Sequence, residues 1–324
     1  MMWCWRKTVV LCRWKRYPKK CGGVDLRGEL SVWNYGFELF GLLDMNDVMN
    51  AVLRGIYRRM RPQALKNALA LSLVDIETGH VPEVRSLPPG KRVLVLAPHA
   101  DDETLGCGGS LRKLRASGVA VKVLFISDGR LGDREVRELP ENHPQKWART
   151  QALIEKRHAE ATAAMAHLGV SEFVFLDLPD GELSKHALRL QIVLQDNILN
   201  WKADALYLPF ISDRHLDHQA VAAAAIDAIS QMQSTVRSSI SLCAYEIWSP
   251  LYPNLIIDIT SEIEAKGNAL QEYVSQLTGT DYQNAIRGLN QYRTMNGLYG
   301  KGYAEAFYCG SYELFLKLLQ ELRR

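Results

Sequence analysis

The sequence contains no pair of cysteines in a Cys-x-x-Cys arrangement, and its six cysteines are scattered through 324 residues. This spacing indicates neither a zinc finger nor a disulfide framework. No stretch approaches about 18 uninterrupted apolar residues, so no membrane-spanning helix is predicted. Hydrophobic residues make up 47% of the chain and charged residues 23%, which excludes a disordered, collagen-like or coiled-coil protein.

Motifs for nucleotide binding and for serine hydrolases are also missing. Gly106 and Gly108 suggest a dinucleotide fingerprint, but Leu111 stands where the third glycine is required. Neither G-x-x-x-x-G-K-[ST] nor G-x-S-x-G occurs in the chain. We therefore expect no nucleotide cofactor, and we predict that Gly106, Gly108 and Gly109 allow a helix to pack closely on a sheet.

Positive charge is concentrated at the N-terminus. Residues 1–20 carry seven of the 39 Lys and Arg and no acid, so the remaining 32 face 36 acidic residues. Trp3, Trp5 and Trp14 interleave with these charges, as in segments that bind anionic membranes. We expect a cytoplasmic protein. Two interpretations of residues 1–22 stay open: contact with the inner face of the membrane, or a solvated tail or misplaced start codon, since most basic tails are inert. Because the charge is local, nucleic-acid binding is not predicted.

The hydrophobic pattern divides the chain into two regions. Between Phe37 and about Leu73, apolar residues recur at intervals of three and four, which predicts a helical N-terminal extension. A loop that contains Pro88 and Pro89 separates this extension from the C-terminal part of the chain. We therefore predict a basic tail and helical extension over residues 1–85 and a main domain over residues 86–324.

The main domain alternates between predicted strands and helices. Val93–Ala97 is a continuous apolar run, typical of a strand buried on both faces of a parallel sheet. Further strands are predicted at Val119–Ile126, Phe173–Leu176, Ala205–Leu208 and Leu242–Tyr245, and helices at Thr104–Ala116, Trp147–Leu168, Ser184–Trp201 and Gln219–Met232. This alternation predicts an α/β fold, a Rossmann-like three-layer domain with a mostly parallel sheet. Its active site is expected at the carboxyl ends of the strands.

A cluster of acidic residues and one histidine comes after the first of these strands. His99, Asp101, Asp102 and Glu103 lie within five residues, and adjacent carboxylates repel unless a cation relieves the repulsion. His99 and Asp102 can converge on one metal across a turn, which leaves Asp101 free beside it. A polar helix N-terminus explains Asp102 and Glu103 through the helix dipole, but it leaves His99 unexplained.

A second histidine motif comes after the predicted strand Ala205–Leu208. His215 and His218 lie on one face of a helix start, so one can bind a metal while the other points into the same cleft. Asp217 can orient a histidine through its second ring nitrogen. Alone, His-x-Asp-His is a weak pattern, typical of a helix cap with solvated histidines. Because this motif and the first one each follow the end of a predicted strand, the two together predict a metal site.

The predicted ligands suit a catalytic zinc ion. Two histidines and one carboxylate leave a fourth coordination position for water, as catalytic zinc sites do. We expect one Zn²⁺ per chain, which other divalent transition metals can replace. Zinc lowers the pKa of water to about 7, and Asp101 is placed to accept the proton that this water loses.

Together the motifs resemble those of the LmbE/PIG-L-like family, zinc-dependent deacetylases that act on N-acetylglucosamine-containing compounds. The family's Pro-His-Pro-Asp-Asp-Glu appears at residues 98–103 with alanine at position 100, and His-x-Asp-His is complete at residues 215–218. Arg-x-x-Glu-Ala at 157–161, Leu-Pro-Asp-Gly at 178–181 and Ala-Glu-Ala-Phe at 304–307 extend the resemblance from about residue 92 to about residue 307.

The resemblance implies a role for each residue of the two main motifs. His99, Asp102 and His218 would bind zinc, and Asp101 would be the general base. His215 would stabilise the oxyanion or protonate the leaving amine.

The same resemblance implies that Arg157 and Asp180 hold sugar hydroxyls. Each has an ordinary structural alternative. Arg157 with Glu160 is equally an ion pair on a helix surface, and Asp180 with Gly181 is equally a turn.

The predicted function is that of a zinc-dependent N-deacetylase, which uses metal-activated water to remove the acetyl group from an N-acetylated amino sugar. The substrate would be a GlcNAc-type glycoconjugate, a glycan-assembly intermediate or a metabolite. Two alternatives stay open: a metal-dependent amidase that acts on a non-sugar or thioconjugate amide, and a non-catalytic carbohydrate-binding protein on the same scaffold. The complete motif set argues against the second, because a binding protein has no use for a general base.

Overall fold

The apolar run Val93–Ala97 lies in a strand that is buried on both faces, in the interior of an eight-stranded sheet. The computed structural model describes residues 81–295 and 297–323. In chain order, the strands are β1 (Glu83–Arg85), β2 (Arg92–Ala97), β3 (Ala120–Ser127), β4 (Glu172–Leu178), β5 (Ala205–Pro209), β6 (Ser241–Tyr245), β7 (Leu255–Asp258) and β8 (Ala304–Gly310).

The order of these strands across the sheet is β1-β7-β8-β6-β5-β2-β3-β4. Among the described strands, only β8 runs antiparallel to its neighbours, which are β6 and β7. Val95 of β2 lies opposite Val123 of β3 on one side and Tyr207 of β5 on the other, both in parallel register. The predicted α/β fold with a mostly parallel sheet is confirmed.

Helices connect the strands and cover both faces of the sheet. They are α1 (Asp102–Ala116), α2 (Arg134–Glu138), α3 (Lys146–Leu168), α4 (Ala187–Trp201), α5 (Leu216–Ser230), α6 (Ser234–Arg237), α7 (Ile263–Gln271), α8 (Tyr282–Arg293) and α9 (Tyr312–Arg323). Short 3₁₀ turns occur at Leu183–His186 and Thr260–Glu262.

Alternate side chains of β2 enter two different cores. Val93 and Val95 pack with residues of α1 and α3, whereas Leu94 and Leu96 pack with residues of α4, α5 and α9. Successive side chains of a strand point to opposite faces, so a continuous apolar run suits a strand that is covered on both sides. The sheet is the middle of three layers, as predicted.

The edge strand β1 pairs with β7 in parallel register, with Val84 opposite Ile256. The sheet therefore includes residues 83–85, which the predicted boundary assigns to the N-terminal region. The predicted basic tail and the helical extension between Phe37 and Leu73 lie outside the described residues. In the part of the chain that the structure describes, no helix combines the length and the apolar character needed to cross a membrane.

Helix α1 begins directly after the first motif and kinks at Cys107, whose backbone has φ −144° and ψ 17°. Gly109 and Ser110 follow this kink, and the first N–H groups of a helical segment need partners from outside it. The buried Glu305 carboxylate of β8 accepts both, at 2.9 and 2.8 Å. A Cβ on Gly106 would lie 2.1 Å from the ring of Tyr245, so glycine lets α1 pack closely on β6, as predicted.

Candidate active site

The two predicted motifs meet at the edge of the sheet where the parallel strands end. β2 ends two residues before His99, and β5 ends ahead of α5, the helix that carries His218. The loop after β4 brings Asp180 to the same edge. A pocket of about 240 Å³ lies there, lined by residues that include His99, Asp101, Asp102, Arg157, Asp180 and His215. This is the position at which open α/β sheets bind ligands.

Three side-chain atoms from the two motifs form a compact triangle. Asp102 Oδ2 lies 3.1 Å from His99 Nδ1 and 3.1 Å from His218 Nε2, and the two ring nitrogens are 3.3 Å apart. Both His218 and Asp102 are buried. The structure thus brings together the three residues that are predicted to bind zinc.

This triangle fits a tetrahedral metal ion. With bonds of about 2.1 Å, the ligand atoms of a tetrahedral zinc site lie about 3.4 Å apart, close to the three distances between His99, Asp102 and His218. Nitrogen and oxygen ligands of this kind are those that catalytic zinc sites use. His215 also offers a ring nitrogen within 4.8 Å of nitrogens on His99 and His218.

The other ring nitrogen of His99 meets a second pair of carboxylates. His99 Nε2 lies 3.2 Å from Asp180 Oδ1 and 3.5 Å from Asp217 Oδ2, and these residues form a further group with ligand atoms within 4.8 Å. Both carboxylates already accept backbone N–H groups, Asp217 from Gly181 and Asp180 from Leu131. They are therefore placed to hold the His99 ring, as outer carboxylates hold metal-binding histidines.

The carboxylates around His99 and His218 stabilise positive charge at this site. Burial opposes protonation of the His99 ring, but hydrogen bonds to Asp102, Asp180 and Asp217 outweigh it and raise the pKa of His99 well above its usual value. Burial also opposes charge on His218, yet the Asp102 carboxylate raises the pKa of His218 to about 9. A cluster that stabilises charged imidazoles in this way is electrostatically suited to a bound cation.

Asp101 has a backbone conformation that is rare for residues other than glycine. Its φ is 138°, and such strain persists where the surroundings hold it, often at functional sites. The side chain lines the pocket, and its Oδ2 lies 3.6 Å from Nη2 of Arg157. Burial raises the pKa of Asp101 to about 7, against the opposing charge of Arg157.

His215 caps the N-terminus of α5 and lines the pocket. Its Nδ1 accepts the N–H of Asp217 at 3.2 Å, so the neutral ring carries its proton on Nε2. Burial and the positive charges of His99 and His218 lower the pKa of His215, which favours this neutral form. The centroids of the His215 and His99 rings are 4.7 Å apart. His215 thus offers an N–H donor next to the predicted metal ligands.

Arg157 of α3 is buried and points towards the first motif. Its Nη2 donates to the carbonyl oxygen of Ala100, whereas Nε and Nη1 have no hydrogen-bond partner among the described residues. Glu160 instead accepts the N–H and the hydroxyl of Ser275, at 2.8 and 2.6 Å. Arg157 and Glu160 therefore do not form the surface ion pair that was the alternative, and Arg157 lines the pocket with two buried donors unsatisfied.

The acid that faces the Nδ1 atom of His218 is Asp213, whose Oδ1 lies 3.2 Å away. Asp213 also accepts the N–H of His215 at 2.9 Å and two N–H groups of the loop after β6. Asp217 faces His99 instead. Asp213 is absent from the predicted site residues, although its place two residues before His215, just after a strand end, is a signal that could have identified it.

Comparison with known proteins relates this chain to a family. Residues 94–229 match the family model described as PIG-L: GlcNAc-PI de-N-acetylase, and this segment contains every predicted site residue. A diacetylchitobiose deacetylase from Thermococcus kodakarensis is 30% identical over 204 residues, which cover 57% of this chain and 70% of that protein. The chain belongs to the PIG-L family. The resemblance inferred from the motifs is confirmed.

Solved structures share the fold of this PIG-L protein. An N,N'-diacetylchitobiose deacetylase from Pyrococcus horikoshii has a TM-score of 0.57 at 20% identity, over 85% of this chain and 96% of that one. The 4-carboxy-2-hydroxymuconate hydratase GalB from Pseudomonas putida has a TM-score of 0.53 at 21% identity, over 67% and 95%. At these sequence identities the similarity concerns the fold. One of the two structures is a deacetylase and the other a hydratase, so the fold alone does not determine the reaction.

Proposed function

We propose that this PIG-L protein is a zinc-dependent hydrolase that removes the acetyl group from an N-acetylated amino sugar. The observation that carries the proposal is the triangle of His99 Nδ1, Asp102 Oδ2 and His218 Nε2, with Asp101 and His215 beside it. The family model is described as a GlcNAc-PI de-N-acetylase, and a curated relative is a deacetylase, which supports the proposed reaction and substrate class.

His99, Asp102 and His218 would hold one Zn²⁺ and leave a fourth coordination position open. When bound, zinc polarises the amide carbonyl and lowers the pKa of water to about 7. Asp213 and Asp217 would fix the rings of His218 and His99 from outside, as carboxylates around metal sites do. Other divalent transition metals can occupy nitrogen and oxygen ligands of this type.

Asp101 and His215 would carry out the proton and charge chemistry. Asp101 accepts a proton from the attacking water, whose oxygen adds to the amide carbonyl carbon. His215 donates a hydrogen bond from Nε2 to the carbonyl oxygen as that oxygen gains negative charge. The C–N bond then breaks, acetate forms, and the proton held by Asp101 passes to the leaving amine.

Arg157 and Asp180 would bind sugar hydroxyls. The buried Nε and Nη1 groups of Arg157 have no hydrogen-bond partner among the described residues, and a substrate hydroxyl that reached them would remove the cost of leaving those donors unsatisfied. Asp180 uses one oxygen on His99 and the other on the N–H of Leu131, but each carboxylate oxygen has a second lone pair. Asp180 can therefore accept a hydroxyl while it still holds the ring.

The test combines metal content with acetate release. Purified protein is analysed for metal, stripped with a chelator, and assayed on a panel of N-acetylated sugars before and after zinc is restored. We expect about one zinc per chain, loss of acetate release on stripping, and recovery with zinc. Full activity in verified metal-free protein would show that the mechanism is wrong.

A wider panel, with thioconjugate and other non-sugar amides added, separates the alternative functions. Release of acid from thioconjugate or other non-sugar amides, with none from sugars, would identify an amidase of different specificity. Zinc and sugar binding without turnover of any amide would favour a carbohydrate-binding protein. GalB is named as a hydratase, an enzyme that adds water to its substrate. Loss of the conjugated absorbance of an unsaturated acid would reveal such a reaction here.

We also propose that residues 1–22 contact an anionic membrane surface, which would place the protein at the inner face of the membrane in the cytoplasm. The seven basic residues among positions 1–20 and the three interleaved tryptophans support this proposal. Co-sedimentation with anionic liposomes should fall when residues 1–22 are removed. Equal binding of the full and shortened chains would contradict it.

A further inference from the structure

A second pocket lies beside the catalytic one and differs from it in chemistry. It has a volume of about 230 Å³, and its walls include Leu105, Ile247, Ile286 and Leu289. None of its described lining residues carries a formal charge. The catalytic pocket, in contrast, is lined by histidines, carboxylates and arginines. The second pocket is therefore suited to an apolar group.

The two pockets share a wall. Trp248 and Tyr282 line both of them, and their ring centroids are 6.0 Å apart in a T-shaped arrangement. Leu105 comes one helical turn after the proposed base, since its N–H donates to the carbonyl oxygen of Asp101 at 2.8 Å. A ligand that reacts next to Asp101 and extends past these two rings would therefore reach the apolar pocket.

The volumes support a single extended site. Pockets that bind small ligands usually enclose about 300–1,000 Å³. The catalytic pocket, at about 240 Å³, and the apolar pocket, at about 230 Å³, each fall below that range, whereas the two joined lie within it. The polar part provides the reacting groups and the apolar part provides buried surface.

We propose that the apolar pocket binds the aglycone of the substrate, and that this aglycone is an apolar chain. The assignment rests on the proposed deacetylase function. In a 2-acetamido sugar the reacting amide is on C2, next to C1, so a sugar that reacts at Asp101 with C1 towards Trp248 and Tyr282 would direct its aglycone into the apolar pocket. The preferred substrate class is thus an N-acetylglucosaminide with an apolar aglycone, rather than a free or polar-linked sugar.

The experiment uses zinc-loaded full-length protein and methyl, butyl and octyl N-acetylglucosaminides. Each buried methylene contributes apolar surface, so kcat/KM should rise by about two- to fourfold per methylene until the pocket is filled. Octyl glucosaminide, the deacetylated product, is titrated in parallel by calorimetry against methyl glucosaminide. This second measurement needs no turnover.

Two variants on α8 test whether the dependence on chain length arises in the apolar pocket. Ala285 is exposed and lines the apolar pocket, so Ala285→Trp should fill it and reduce the octyl-to-methyl ratio of kcat/KM towards one. Asn284 is the neighbouring exposed residue and does not line the pocket. Asn284→Trp therefore adds the same bulk and should keep the ratio of the unmodified protein.

The results of these experiments decide whether the apolar pocket binds the aglycone. A flat dependence on chain length, or a dependence that Ala285→Trp leaves unchanged, would overturn this assignment. A gain with N-octanoyl glucosamine but not with octyl N-acetylglucosaminide would assign the pocket to the acyl group instead and overturn the aglycone assignment. If no compound is deacetylated but octyl glucosaminide still binds more tightly than methyl glucosaminide, the deacetylase function fails while the apolar subsite stands.

Discussion

The hydroxyl of Tyr273 donates a 2.6 Å hydrogen bond to Oε1 of Glu103, a carboxylate that is completely buried two residues after the proposed base. Thr104 donates its hydroxyl to the same oxygen. The other oxygen, Oε2, accepts the N–H of Asp101 at 3.2 Å. Glu103 thus links a tyrosine between α7 and α8 to the strained backbone of Asp101, and Tyr273 and Glu103 are positioning residues rather than groups that contact substrate.

We expect Tyr273→Phe to lower kcat by about two- to tenfold, the equivalent of one lost hydrogen bond, with little change in KM or zinc content. The reason is that Glu103 would hold the Asp101 backbone less firmly, while the pocket and the metal ligands stay in place. Tyr292→Phe is the control, because Tyr292 is an exposed tyrosine of α8. Loss of thermal stability without any change in kcat would show that Tyr273 is only structural.

The proposed base and a proposed metal ligand should respond differently to substitution. Asp101→Asn should keep its zinc and lose about 10²- to 10⁴-fold in kcat, because the amide cannot accept the proton. Asparagine is also tolerated at positive φ better than most residues, so the backbone should be preserved. His218→Ala should lose both zinc and activity.

Elemental analysis and acetate release measure the two effects. His186→Ala serves as the histidine control, because His186 precedes α4 and does not line the pocket. If Asp101→Asn releases acetate at the unmodified rate, another group is the base. If His218→Ala binds zinc as tightly as the unmodified protein, the proposed ligand set is wrong.

Asp213 should matter for metal affinity although it is not a proposed ligand. Its Oδ1 lies 3.2 Å from His218 Nδ1, so Asp213→Asn should weaken the orientation and basicity of that ring. Outer carboxylates of this kind typically change metal affinity by about 10- to 100-fold. Competition with a fluorescent zinc chelator measures the change. Asp204→Asn is the matched control, since Asp204 accepts the N–H groups of Lys91 and Arg92 at the start of β2 and does not line the pocket. An equal effect of both substitutions would remove the special role of Asp213.

The buried ion pair between Lys266 and Glu305 should contribute to stability rather than to catalysis. Lys266 Nζ lies 2.7 Å from Glu305 Oε1, and both side chains are almost completely buried. Lys266→Met would leave an uncompensated buried carboxylate and should lower the free energy of unfolding by about 3–5 kcal/mol.

Urea unfolding followed by circular dichroism measures this effect. Lys185→Met removes an exposed lysine that pairs with Glu182 and should leave the urea midpoint almost unchanged. Equal midpoints for Lys266→Met and the unmodified protein would show that Glu305 is stabilised by its backbone hydrogen bonds alone.

Local patterns were sufficient to predict most elements of the parallel part of the fold. The apolar run Val93–Ala97 predicts β2 because a strand covered on both faces needs apolar residues at every position. The predicted helix Trp147–Leu168 differs from α3 by one residue at its start, since its apolar spacing and the adjoining Gly169 are local signals. The strands β1, β7 and β8 were not predicted. β1 and β7 have only three and four residues, which is too short for a clear pattern, and all three strands pair with segments distant in sequence.

Residue type and spacing at two strand ends sufficed to predict which side chains gather at the candidate site. Parallel strands end at one edge of a sheet, so motifs separated by more than 100 residues were expected to meet, and His99 and His218 do. Which partner each side chain has was decided by packing in three dimensions. Asp213 faces Nδ1 of His218 while Asp217 faces His99, and Glu160 binds Ser275 rather than Arg157, because these choices depend on how helices and loops distant in sequence lie against one another. The apolar pocket beside the catalytic one has the same origin: α1 and α8 create it only when they pack together, and no local pattern contains that information.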